Sequence, residues 1–171
     1  RRLNAKLPIL SLSSEQDATG NHKDPHLRQL PLEDMFHEFC APQLLDTFNR
    51  QKVDRVRSLF REKDKIHILL QHDPDPDAIG SALALRELLG RNRATTPIVT
   101  FGGVTRPENL AMLRLLEIQI DRITYEDLHQ DGARLALVDV QPPYFGVSLG
   151  KVDLVVDHHP KRIPFTARFT D

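Results

Sequence analysis

Cys40 is the only cysteine in the 171-residue chain. That excludes an internal disulfide framework and fits a reducing compartment. An excess of charge of either sign is also missing. The 23 Lys and Arg against 24 Asp and Glu leave a net charge of −1, so no global basic field draws the chain onto nucleic acid or a membrane. No apolar run is long enough to cross a bilayer and there is no secretory leader pattern, which makes the cytoplasm the expected location, with no membrane partner. Internal repeats and low-complexity tracts are absent too. What remains is a chain with 40% hydrophobic residues, enough for one domain with a core plus some extra chain. It opens on Arg1 rather than Met, which reads as a piece cut from something longer.

Residues 1–31 mix Ser, Asn, Gln, Asp, His and Pro without a clear period and read as a flexible arm or linker, with a short strand around Leu7 to Leu12. His22 and His26 in this tract read as solvated rather than as ligands. Residues 32–63 read as N-terminal helices. Leu32, Met35, Phe36 and Phe39 share one face, and after Pro42 a second helix runs to about Lys63 with Leu45, Phe48, Val56 and Phe60 on one side. His37 and Cys40 are expected to pack rather than to ligate. Arg50, Lys52, Arg55, Arg57 and Arg61 form a solvated face, because the aromatics that a single-strand stacking surface interleaves with its cations are missing.

From Lys65 the pattern alternates. Strands are expected at 66–71, 97–101, 135–140 and 152–157, with a weaker one at 120–125 and a sixth opening near Phe165. Helices fall at 78–90 and 107–117, with a short turn at 127–130. Short apolar runs separated by helices predict an α/β domain with a mainly parallel, doubly wound sheet over 64–171, preceded by the N-terminal helical segment.

Acidic motifs then fall at the C-terminal ends of three expected strands. The first is Gln71-His72-Asp73-Pro74-Asp75-Pro76-Asp77-Ala78-Ile79-Gly80-Ser81, the second Leu137-Val138-Asp139-Val140-Gln141, and the third Val155-Val156-Asp157-His158-His159. In a parallel sheet these ends share one edge, where ligands of open α/β sheets bind. Pro74 and Pro76 fix the loop so that its carboxylates are splayed with no intervening cation. Each acid also has a plainer role: Asp77 as the N-cap of the helix at Ala78, Asp139 as a turn residue before Pro142-Pro143, and His158-His159 as a core pair. Three plain roles at one edge are a weaker account than a shared cation. Carboxylates with imidazole suit Mn²⁺ or Mg²⁺ better than Zn²⁺, since no thiolate is in reach.

Asp157-His158-His159 after an apolar strand, with Asp75-x-Asp77-Ala-x-Gly-Ser upstream and Val138-Asp139 between, resembles the DHH phosphoesterase superfamily. Its members include RecJ-type exonucleases, nanoRNA and pAp phosphatases, cyclic dinucleotide phosphodiesterases and exopolyphosphatases. The loop from Pro74 to Ser81 is most similar to the nanoRNase-like branch. The resemblance covers about Ile66 to His159. It implies a Rossmann-like domain holding two Mn²⁺ or Mg²⁺ ions, and a C-terminal DHHA1 domain that closes over the substrate. It implies, further, that Asp75 and Asp77 each bind one ion, Asp139 bridges them and His158 binds the second. His159 faces the substrate phosphate, Asp157 orients His158, and Gly80 and Ser81 let the backbone approach an anion. Lys161 and Arg162 either contact phosphate or are plain surface. The implied activity is hydrolysis of phosphodiester or phosphoanhydride bonds in an oligonucleotide, nucleotide or polyphosphate.

The chain departs from the family pattern twice. Gln71 stands where the family has a histidine, which leaves His72, displaced by one, as the alternative ligand of the first ion. A further metal-binding Asp and the clamp domain belong beyond Asp171, so this piece alone is expected to be weakly active or inactive. Two rival readings stand beside the enzyme: a degenerate domain that binds a nucleotide and regulates an attached module, and an interaction domain with no site. Oligomeric state is left open, homo-oligomers included.

Overall fold

A computed structural model of the chain describes residues 9–13, 27–130 and 132–171. The chain divides into two compact units, Arg1–Lys52 and Val53–Asp171. In the first, β1 (Ile9–Ser13) pairs in parallel with β2 (Leu27–Pro31), Ile9 opposite Leu27. The strand expected near Leu7 to Leu12 therefore exists as β1 and has a partner that polar composition concealed. His22 and His26 lie outside the described residues.

α1 (Leu32–Met35) passes through a π-helical turn, Phe36–Cys40, into α2 (Ala41–Ser58), so the break expected at Pro42 is not a break. Proline has no N–H for the ordinary helical bond. The chain widens by one residue just before it, with the Ala41 N–H donating to the Phe36 carbonyl. α2 ends at Ser58, short of the expected Lys63. The apolar stripe expected over this stretch is divided: Val56, and Phe60 just beyond the helix, are buried, whereas Leu45 (62% exposed) and Phe48 (58%) are not. His37, expected to pack, is exposed with its ring edge-on to Phe36.

The second unit begins at Val53 rather than at 64 because Val56 and Phe60 enter its core. Its elements are β3 (Ile66–Leu70), α3 (Pro76–Leu88), β4 (Ile98–Thr100), α4 (Pro107–Leu115), β5 (Asp121–Arg122), α5 (Tyr125–Gln130), β6 (Arg134–Val138), a 3-10 turn (Pro142–Phe145), β7 (Leu154–Val156) and β8 (Phe169–Thr170). All six strands of its sheet are parallel, in the order β5-β4-β3-β6-β7-β8. This is an α/β, Rossmann-like arrangement.

Strand alternation sends residues to two cores. Ile66, Ile68 and Leu70 of β3, with Ala136 and Val138 of β6, pack on Ile79, Ala82 and Leu85 of α3. Leu69, Leu135 and Leu137 face the other way, toward Leu128 and Phe145. Burial on both faces explains why β3 and β6 read as nearly continuous apolar runs, His67 and Arg134 apart, rather than alternating ones.

The chain starts in the middle of the sheet at β3, builds outward to β5, then returns to place β6 on the other side of β3. The reversal point lies between β3 and β6, where their following loops part and leave a crevice. At the opposite rim, where strands begin, Asp153 is buried (2% exposed) and accepts from Arg168 (2.8 Å), Arg134 (3.3 Å) and the Leu135 N–H (3.3 Å). Among the described residues, no helix is long and apolar enough to cross a membrane.

Candidate metal centre

The loop after β3 is held from the neighbouring strand. The Thr100 hydroxyl at the end of β4 donates to the Gln71 carbonyl (2.7 Å), the Gly103 N–H to the His72 carbonyl (2.9 Å), and the buried Asn109 amide to the Pro74 carbonyl (3.1 Å). Gly102 lies so close that a Cβ there would run into the His72 carbonyl. These ties sort the three loop carboxylates into different jobs. Asp73 accepts from the Thr105 N–H (2.9 Å) and hydroxyl (2.7 Å), with Arg106 3.5 Å away. Those two hydrogen bonds, more than the guanidinium, hold its carboxyl below the usual range. Asp75 caps α3 by accepting from the Ala78 N–H (3.0 Å). Asp77, for which the cap was the plainer reading, is in the first helical turn and reaches His158 Nε2 at 3.9 Å.

Asp139 follows β6 and is the centre of the group. Its N–H still pairs with the Val156 carbonyl (2.9 Å), but its φ is +57°, in the left-handed region. That conformation is uncommon outside glycine, although Asp tolerates it better than most, and it ends the strand sharply. The side chain is 8% exposed, with His158 Nε2 at 3.2 Å and His159 Nδ1 at 3.7 Å. Burial pushes its pKa up, and the Asp75 and Asp77 charges push it further, against the opposing pull of the two imidazoles.

His158 and His159 follow β7, the neighbour of β6, with rings 4.4 Å apart. Asp157 was expected to orient His158. It holds His159 instead, accepting from Nδ1–H at 2.7 Å, and that bond raises the His159 pKa. The reason is the extended chain at a strand end: residues two apart lie on the same side. The other Asp157 oxygen accepts from the Gln141 amide (2.6 Å), which also donates to the His159 carbonyl (3.0 Å). Gln141 therefore locks the Asp157–His159 pair. The sequence signal for it is its position two residues after Asp139.

Asp139, His158 and His159 offer donor atoms that all lie within 4.8 Å of one another. One carboxylate with two imidazoles, one of them oriented by a second carboxylate, fits a divalent cation. Asp77 and Asp75 flank this trio, one through His158 and the other through its field on Asp139.

His72 is not brought into the group. Its ring packs among Tyr144, Phe145 and Phe101, at 5.4, 5.8 and 6.4 Å between centroids, and Nδ1 lies 3.3 Å from the Tyr144 hydroxyl. Gln71, the residue before it, lines the cavity beside Asp139 instead. Ser81 lines a second cavity with Asp77, Asp139 and His158, and a Cβ on Gly80 would meet nothing of the protein itself. Arg162 lines the Gln71 cavity; Lys161 is drawn to Thr170 (3.4 Å) and the Phe165 ring (5.4 Å).

No family model and no solved structure matches the chain. Among curated proteins, it is similar to an uncharacterized protein of Methanocaldococcus jannaschii, 33% identical over 125 residues. The matched stretch is 71% of this chain and 26% of that protein, so the chain spans about a quarter of the length of the curated relative it matches.

Proposed function

We propose that this chain carries the metal-binding part of a DHH-superfamily phosphoesterase that hydrolyses phosphodiester or phosphoanhydride bonds of short oligonucleotides or small nucleotides. The observation that supports this reading is Asp139: a buried carboxylate at a strand end, crowded by Asp75 and Asp77 and faced by His158 and His159. Anionic crowding of that kind is costly in an isolated fold and is relieved by a bound cation. Mn²⁺ or Mg²⁺ would be the expected ions, two in the complete site, and Asp139, His158, Asp77 and Asp75 are the residues that would hold them. A bound divalent ion supplies Lewis acidity, lowering the pKa of water and drawing charge from a phosphoryl oxygen.

The remaining groups position and neutralise. Asp157 and Gln141 fix the His159 ring in one tautomer. Arg162 gives the cavity beside Asp139 a cation to face a phosphate. A single cysteine is in keeping with a cytoplasmic enzyme. The test is Mn²⁺-dependent hydrolysis of a short oligonucleotide by the full-length protein. Asp139→Ala is expected to abolish it, and retained activity in that variant rejects the assignment.

One observation favours a second reading, a degenerate domain that binds a nucleotide without turnover. Gln71 lines the cavity with a neutral amide while His72 is engaged with Tyr144. Calorimetry separates the two: this reading predicts nucleotide affinity at saturating Mn²⁺ with no product formed.

A further inference from the structure

Two cavities meet at Asp139 and Asp157, and their walls differ in kind. One, of about 510 Å³, is lined by Asp77, Ser81, His158 and Asp171, with Val156 as its apolar contribution. The other, of about 340 Å³, has Asp139, Asp157 and His159 at one end and Pro143, Tyr144, Pro160 and Ile163 along its wall. Gln71 and Arg162 supply polar groups within that second cavity. A polyphosphate chain has nothing apolar to bury against such a wall. A flat ring with hydrogen-bonding edges matches both parts.

Tyr144 is prepared for that ring. Half of the residue is exposed (50%), yet it is held in place on several sides. Phe145 meets it edge-on at 5.1 Å, and the His72 ring lies 5.4 Å away. The His72 N–H donates to the Tyr144 hydroxyl (3.3 Å), and the Tyr144 N–H donates to the Gln141 carbonyl (3.0 Å). An aromatic face already immobilised loses little freedom when a base stacks on it. The position of His72 acquires a use in the same stroke, because its backbone and ring brace the tyrosine.

Resting on the phosphoesterase reading, we propose that this cavity is a nucleobase pocket with Tyr144 as its stacking platform. The substrate is thereby a nucleotide or oligonucleotide rather than inorganic polyphosphate. The base lies against Tyr144, Pro143 and Ile163 while its phosphate lies toward Asp139 and His159.

The experiment is calorimetric titration of the full-length protein, at saturating Mn²⁺, with AMP and separately with ribose 5-phosphate. AMP is expected to bind roughly tenfold or more tightly than ribose 5-phosphate. Tyr144→Ala should bring the two affinities together by weakening AMP alone, and Tyr144→Phe should keep the preference. A Mn²⁺-induced rise in Tm retained by both variants shows that fold and ion site are intact. Equal affinities in the wild type, no binding of AMP, or a Tyr144→Ala loss that falls equally on both ligands overturns the pocket. Failure of the metal reading looks different: both ligands would then bind equally well with and without Mn²⁺.

Discussion

The two rims of the six-stranded sheet hold buried carboxylates in opposite ways. At the rim where strands begin, Asp153 has two guanidinium partners from within the chain, and Arg134 extends the network to Asp64 at 3.4 Å. At the rim where strands end, Asp139 has two imidazoles and two further carboxylates acting on it. Both acids are nearly excluded from solvent, at 2% and 8% side-chain exposure. The first is neutralised by residues that the sequence itself supplies, so it serves the fold. The second has neighbouring carboxylates set against its two imidazoles, a crowding that a bound cation would relieve on the reading proposed above.

The largest effect expected from this contrast is on the closed rim. Asp153→Ala leaves two arginines facing an apolar strand start and should lower unfolding stability by about 3 kcal/mol, measured by urea denaturation. The Mn²⁺-induced rise in Tm should survive it. If that rise vanishes together with Asp153, the rims are coupled and the division fails.

Next is the open rim. A ligand bound only by the folded state, at a hundredfold excess over its Kd, adds about 2.7 kcal/mol, so Mn²⁺ should raise the Tm of the wild type by several degrees. Asp139→Asn should remove that rise and, without metal, stabilise the fold by about 1 kcal/mol. The sign follows from the raised pKa. The fold favours the protonated acid, an advantage complete below the ordinary carboxylate range and lost as pH rises through the raised value. At neutral pH the wild type therefore carries an unfavourable charge that the amide lacks. An Asp139→Asn variant less stable than the metal-free wild type at pH 7 would remove the case for electrostatic crowding.

The smallest effect is expected at Asp73, an acid of the open rim that behaves like one of the closed rim. Its pKa is lowered by Thr105, so its contribution is present above the ordinary carboxylate range and lost as pH falls through the lowered value. Asp73→Asn should lower Tm slightly at pH 7 and match the wild type in acid. Loss of the Mn²⁺ response in this variant would move Asp73 into the metal group.

The sheet was legible because β3 and β6 are nearly continuous apolar runs, broken only by His67 within β3 and Arg134 at the start of β6, as strands covered on both faces tend to be. The common edge of Asp75, Asp77, Asp139 and His158 then followed from parallel topology alone. What the sequence hid is orientation at single positions. Whether Asp75 or Asp77 caps α3 depends on a helix start that shifts by two residues at Pro76. Whether Asp157 serves His158 or His159 depends on the pleat at the end of β7. His72 was drawn from the expected ion to aromatic side chains, two of them in a 3-10 turn more than seventy positions away by numbering, a long-range contact that no local pattern announces. Thr100, Thr105 and Asn109, which pin the loop, carry no motif of their own.

The pairing of β3 with β6 sets an order on assembly, since Ile66 meets Arg134 across a long intervening stretch. Non-local parallel pairing forms slowly. A chain emerging from the ribosome displays Asp75 and Asp77 well before β6 and β7 exist to gather them. The nascent protein has these acids scattered and not yet gathered at one edge. On the metal-binding reading proposed above, ion capture would wait until the sheet has closed around its own middle strand, and the choice of ion would fall to the finished geometry instead of the unfolded chain.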